Sequence, residues 1–146
     1  MAGSWKVDSA QPIDEDLKDR ILDKIDEGSL GMEDLRDFFT VFTQISNNTE
    51  DIQDEVEGFN RTFRIRIDGK PHAWLAVRDK KFEMGSGDIQ GAEITLEMSS
   101  QVAFDMFSGR VDPTAAYMNG DIRVDGVIND AIIFRTILDL VHEELE

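Results

Sequence analysis

The chain has 146 residues, no cysteine and a formal net charge of −16, from 31 acidic and 15 basic side chains. That length suits one domain around one core, and the absence of cysteine excludes a disulfide framework and thiol chemistry. The acid is concentrated in residues 1–60, which hold 16 acidic and 5 basic side chains; such a field repels nucleic-acid backbones and anionic membrane surfaces, so neither is expected as a partner.

Residues 1–11 lack the apolar centre of a signal peptide, and no run approaches the length that spans a bilayer, so a cytoplasmic protein is expected. Ile13, Leu17, Ile21, Leu22 and Ile25 fall at helical spacing among charged residues and predict an amphipathic helix over 14–27, stopped by Gly28. A second helix is predicted over 32–46, with the heavy stripe Leu35, Phe38, Phe39, Phe42 and Ile45. Thr49 is placed to cap a short third helix carrying Ile52 and Val56. Phe63, Ile65 and Ile67 then alternate with Arg64, Arg66 and Asp68, which is the period of a half-buried strand. Gly69 makes a hairpin turn into a strand through Trp74 to Val77, where Leu75 and Val77 compete with Trp74 and Ala76 for the inner face. Lys80 and Lys81 turn the chain again, Phe82 and Met84 mark a third strand, and residues 85–91 read as a loop.

The order from residue 92 onward is strand, helix, helix, strand, helix. Ile94, Leu96 and Met98 alternate with Glu93, Thr95 and Glu97. Ser99 offers an N-cap to the stripe Val102, Ala103, Met106 and Phe107, which stops at Gly109. Asp112 and Pro113 open a second short helix that Gly120 ends. Ile122 and Val124 make the fifth strand before Gly126, and an apolar helix runs from about Asn129 to the C-terminus. The strands' other faces carry Arg64, Arg66, Glu93, Glu97, Asp121, Arg123 and Asp125, which suits cross-strand pairs in water. The predicted class is therefore α+β: a five-stranded, mostly antiparallel sheet covered on one face by helices. Phe104, Phe107, Tyr117, Met118, Ile132, Ile133, Phe134, Ile137 and Leu138 are more large residues than one line of strand residues accommodates. Two-sided burial of the last helix and a wall around a cavity both satisfy that excess.

Catalytic patterns are missing. His72 and His142 show no partner in the sequence and read as surface residues, and His142-Glu143-Glu144 lacks a second ligand at helical spacing. The glycines of 85–91 misplace the third position of a dinucleotide fingerprint, no Gly-x-Ser-x-Gly elbow occurs, and no carboxylate stands in an apolar stripe. A non-enzymatic protein without metal or cofactor is expected.

Phe107, Ser108, Gly109, Arg110, Asp112-Pro113, Ala116-Tyr117-Met118, Gly120, Ile122, Val124 and Gly126 match, in order and spacing, the most recognisable stretch of the sterol carrier protein type-2 family. The chain resembles this nonspecific lipid-transfer, sterol-binding domain over about residues 59–140. The chain is expected to comprise an acidic helical region over 1–58 packed on a core over 59–146, one domain overall, and the resemblance implies that the core binds lipid in an apolar tunnel between sheet and helices. It implies a hydrophobic small-molecule ligand: a fatty acid, acyl-CoA, sterol-like molecule or phospholipid. The implied liners are Ile65, Trp74, Leu75, Leu96, Met98, Phe104, Phe107, Tyr117, Met118, Ile122, Val124, Ile133 and Ile137. Met98, Met106 and Met118 would serve as flexible fillers. Tyr117 has two open fates, a hydroxyl for a ligand head group or a hydrogen bond to backbone. Members that move lipid between membranes are thought to approach the bilayer through a basic amphipathic N-terminal helix. The acidic front of this chain departs from that pattern and favours lipid binding over transfer to anionic membranes. The alternative expectation is a dimerising or accessory interaction domain for a lipid-handling enzyme, and a monomer or homodimer suits either reading.

Overall fold

Six strands form one sheet in the computed structural model, which describes residues 4–7 and 11–146. They are β1 (Lys6–Val7), β2 (Arg61–Ile67), β3 (Lys70–Arg78), β4 (Lys81–Ser86), β5 (Ile94–Met98) and β6 (Ile122–Asp125), in the order β1-β4-β3-β2-β5-β6. Every neighbouring pair is antiparallel except β2 and β5, which run parallel from Phe63 beside Ile94 to Ile67 beside Met98. The alternation read from the sequence sets the faces: Phe63, Ile65, Ile67, Leu75, Val77, Ile94, Leu96 and Met98 are buried, while Arg64, Arg66, Thr95 and Glu97 stand on the opposite side.

Two details differ from the sequence-based expectation. The sixth strand, β1, pairs Lys6 with Gly85 and Val7 with Met84; two residues are too few to display a period. For the same reason β4 continues through Gly85 and Ser86, which the glycine-rich composition had marked as loop. Gly85 is required there by close approach, because a Cβ would lie 2.5 Å from Cζ2 of the Trp74 ring.

Six α-helices accompany the sheet: α1 (Glu15–Glu27), α2 (Leu35–Asn48), α3 (Glu50–Glu55), α4 (Ser100–Phe107), α5 (Pro113–Met118) and α6 (Ile128–Leu145). The expected caps form at α4 and α5, where Ser99 and Asp112 accept from the backbone N–H of Val102 and Ala115, and Asp14, read from the sequence as the first helical residue, instead caps α1 by accepting from Leu17 N–H. Thr49 holds the N-cap position of α3 without a side-chain capping bond. A 3₁₀ turn over Met32–Asp34 replaces the first turn expected of α2. It is secured by Asp34 Oδ2, which accepts from Gly31 N–H at 3.0 Å.

The core is built around phenylalanines. Phe107 stacks on Phe38 at 5.0 Å between centroids and meets Phe39 and Phe104 edge-on. Phe134 joins Phe42 at 6.2 Å to Phe63 at 5.6 Å, tying α2 and α6 to the sheet. At the other end of the interior the backbone itself comes close: a Cβ on Gly126, at φ 134°, would lie 2.7 Å from the Glu93 carbonyl oxygen. This contact sets β6 and the start of α6 against the entry to β5.

Candidate functional site

An apolar cavity of about 230 Å³ opens between the β5–β6 end of the sheet, α5 and the first turns of α6. Its floor follows from strand register: Leu96 pairs with Val124 and Met98 with Ile122, so all four side chains point to the same side. Met106 of α4 closes the inner end. Pro113, Thr114, Tyr117 and Met118 of α5 form one wall, and Ile128, Ala131, Ile132, Phe134 and Arg135 of α6 form the other. The rim is exposed, with Met118 77% accessible and Tyr117, Ile128 and Ile132 also exposed.

The two apolar faces of α6 meet different surroundings, with Phe134 reaching both core and cavity. Phe134, Ile137, Leu138, Val141 and Leu145 recur at helical spacing and are all buried. Ile128, Ala131, Ile132 and Arg135 fall at i, i+3, i+4 and i+7 and face the cavity. Both alternatives left open by the excess of large residues are thus realised on one helix.

Six of the thirteen residues expected as liners meet at this cavity: Leu96, Met98, Tyr117, Met118, Ile122 and Val124. The other seven lie elsewhere. Ile65 and Leu75 are sealed in the inner face of the sheet, Phe104 and Phe107 belong to the aromatic core, and Ile137 lies on the buried stripe of α6. Ile133 is half-buried beside that core. Trp74 pairs with Arg64 on the sheet's opposite face and lies over Gly85. Met106, expected as a flexible filler, also lines the cavity, while Pro113, Thr114, Ile128, Ala131, Ile132, Phe134 and Arg135 were not among the expected liners. The register of the two α6 stripes was the available signal, since Ile128, Ala131 and Ile132 share a face that excludes Ile137.

Charged groups stay off the cavity floor. On the far side of the sheet Arg64, Arg66 and Arg123 are interleaved with Asp88, Glu97 and Asp125. Arg66 and Arg123 approach Glu97 at 3.3 and 3.8 Å. Asp88 accepts from the Arg64 guanidinium and from Ile89 N–H, and these bonds, the Arg64 one foremost, hold its carboxyl below the ordinary value. Among the described residues two carboxylates are buried, which the sequence did not mark. Asp34, 6% exposed, pairs with Lys24 at 3.2 Å, and Asp130, 7% exposed, pairs with Arg61 at 3.0 Å. Their neighbours in sequence had concealed them, because burial here comes from segments that pack over them.

The histidines also differ from the surface reading. His72 lies within β3 and is half-buried. His142 Nε2 is 2.7 Å from the Phe107 carbonyl, to which it donates, and so ties α6 to the end of α4. Among the described residues no cluster of three His, Asp or Glu side chains is arranged to hold a metal ion, and no helix is long and apolar enough to cross a membrane.

The architecture is thus a half-covered sheet with an apolar cavity walled by the short α5 and the start of the long α6. The model of the SCP-2 sterol transfer family matches residues 42–139, about two thirds of the chain, and the chain belongs to that family. A sequence comparison with curated proteins finds no match. Among solved structures, sterol carrier protein 2 from Yarrowia lipolytica is similar at 19% identity and a TM-score of 0.54, over 68% of this chain and 85% of that one. The UbiJ-SCP2 ubiquinone synthesis protein is similar at 16% identity and a TM-score of 0.58, over 70% and 90%. The stereoselective inverting sec-alkylsulfatase Pisa1 from Pseudomonas sp. is similar at 16% identity and a TM-score of 0.59, over 75% of this chain but only 16% of that one. This chain therefore spans a small part of the alkylsulfatase and nearly the full length of the two smaller proteins. At these identities the likeness is one of fold. Family and fold together imply binding or transfer of a lipid or sterol.

Proposed function

We propose that this chain carries a hydrophobic small molecule, without turning it over, in the cavity between β5, β6, α5 and α6. The observation that carries the reading is the cavity itself: an almost wholly apolar, partly open space of about 230 Å³ beside a core of buried phenylalanine and aliphatic side chains. Its volume falls below the range of about 300–1,000 Å³ that encloses a drug-sized ligand, which favours one unbranched acyl chain over a four-ring sterol. Each methylene moved from water into such a space contributes about 0.8 kcal/mol, so a ten-carbon chain gains about 8 kcal/mol before ordering costs. Six of the expected liners and the α6 stripe Ile128, Ala131 and Ile132 are the residues we assign to the chain-binding wall.

Carriage suits these side chains better than catalysis, because both buried carboxylates are neutralised by paired cations away from the cavity. The acidic helices of residues 1–58 and the sheet core of 59–146 act as one domain, and their charge disfavours docking to anionic bilayers. A cysteine-free chain suits the cytoplasm. Native mass spectrometry of the freshly purified protein, followed by solvent extraction, tests the reading. A stoichiometric adduct of one lipid class is expected. A clean apo mass that persists after incubation with fatty acids and sterols overturns it.

One observation favours a second reading, an accessory domain for a lipid-handling enzyme: Met118, Val127, Ile128 and Ile132 form an exposed apolar rim. UbiJ-SCP2, a ubiquinone synthesis protein, is a smaller protein of similar fold. Sedimentation at several concentrations separates the two readings, since a stable dimer without bound lipid favours the second.

A further inference from the structure

Arg135 is the charged residue of the cavity wall, and its placement is specific. It is the fourth member of the α6 stripe Ile128, Ala131, Ile132 and Arg135, so an apolar track about 10 Å long ends in a cation. Its Nε lies 3.3 Å from Asp112 Oδ1. Asp112 is itself fixed, since its Oδ2 accepts from Ala115 N–H at 3.2 Å and caps α5. The guanidinium is thus held from its Nε side, and among the described residues its two terminal amines make no hydrogen bond. Thr114 and Tyr117, both hydroxyl-bearing, line the same cavity, and among the described residues neither side chain makes a hydrogen bond.

Free donors beside an apolar track match a molecule with one long apolar tail and one anionic end. A planar guanidinium with two open N–H groups binds a carboxylate or phosphate oxygen pair. In a chain of net charge −16, such an end needs a local cation to offset the general repulsion. Resting on the carrier reading above, we infer that Arg135, with Thr114 and Tyr117, is the head-group site of this cavity and selects single-chain amphiphiles with an anionic head. The tail lies toward Met98, Met106 and Phe134, and the head stays at the mouth where Arg135 is still 40% exposed. Tyr117, whose hydroxyl had two open fates in the sequence, takes the ligand-facing one.

The test compares decanoate, decyl phosphate and 1-decanol, three probes with the same tail, by calorimetric titration of the full chain at neutral pH. Decanoate or decyl phosphate should bind about fivefold more tightly than decanol at low salt, the modest factor reflecting a half-exposed cation. The advantage should shrink at high ionic strength. The better of the two anions identifies the head as carboxylate or phosphate. In Arg135→Gln the anionic probes should lose their advantage over decanol, and Arg135→Lys should restore part of the difference. Lys also serves if the Gln variant folds poorly, because it retains a charge near Asp112 but loses the planar fork. Equal binding of all three probes to the wild-type chain, or a preference that survives Arg135→Gln, overturns the assignment of Arg135 and leaves the carrier reading intact. Failure of every probe, decanol included, to bind overturns both.

Discussion

The α2 side and the α5 side of this interior use the same kinds of side chain to opposite effect. Beneath α2, Phe38, Phe39, Phe42, Phe63 and Phe107 are fully buried and mesh ring against ring. Beneath α5, Met118, Tyr117 and Ile132 surround a space they do not fill. The difference lies in the covering element. Helix α2 has 14 residues and lays a continuous stripe on the sheet, whereas α5 has six and reaches only about 9 Å. A short helix, pinned by the Asp112 cap and Pro113 at one end and Gly120 at the other, cannot close over β5 and β6. Composition sets how much apolar surface a chain has, and helix length decides whether that surface becomes core or cavity.

Substitutions on the two sides should therefore differ sharply. The largest effect is expected for Phe107→Asp, which puts an unpaired charge at the centre of the ring cluster. Its cost of more than about 5 kcal/mol should abolish the cooperative thermal transition seen by circular dichroism. Next, Phe38→Ala should lower unfolding free energy by about 3–5 kcal/mol, measured in urea, while Ile132→Ala on the cavity wall should cost less than about 1 kcal/mol, because Ile132 is already 47% exposed. Equal losses at the two positions would show the cavity wall to be as tightly packed as the core. Met118→Trp should leave stability within about 0.5 kcal/mol yet weaken binding of a bulky fluorescent fatty acid. Unchanged binding in the folded variant would move the pocket elsewhere.

The smallest effect belongs to the charged outer face. Asp88 titrates below its ordinary value because Arg64 donates to it, so its contribution to stability is present above the unfolded-state value and is lost as pH falls through the lower folded one. Asp88→Asn should therefore lower stability slightly above about pH 4, with the difference from wild type vanishing in stronger acid. The change should be slight and should fade in salt, as the carboxylate is mostly exposed. A difference from wild type that persists unchanged into strong acid would point to a packing role for Asp88.

Local signals, where they repeated, carried much of the architecture. Strand alternation in Phe63–Ile65–Ile67 and Ile94–Leu96–Met98, the caps Ser99 and Asp112, and the turn glycines fix element type and inward face, because these depend on neighbours a few residues away. The two-residue β1 and the extension of β4 through Gly85 gave no such signal, since each exists only by pairing with a distant partner. The cavity was half legible. Strand register and the α5 motif brought out Leu96, Met98, Tyr117, Met118, Ile122 and Val124, but not which apolar face of α6 meets them. Phe107 and Ile137 are as apolar as Ile128 and Ile132, and sequence cannot distinguish a residue that stacks on Phe38 from one that faces open space. The sequence by itself determined the elements, their amphipathic faces and the acidic front. The tertiary structure alone decided which apolar residues became dry core, which became cavity, and that Arg135 and Asp112, 23 positions apart, meet at its mouth. Periodicity reports direction relative to the local backbone, whereas burial depends on what another segment brings opposite.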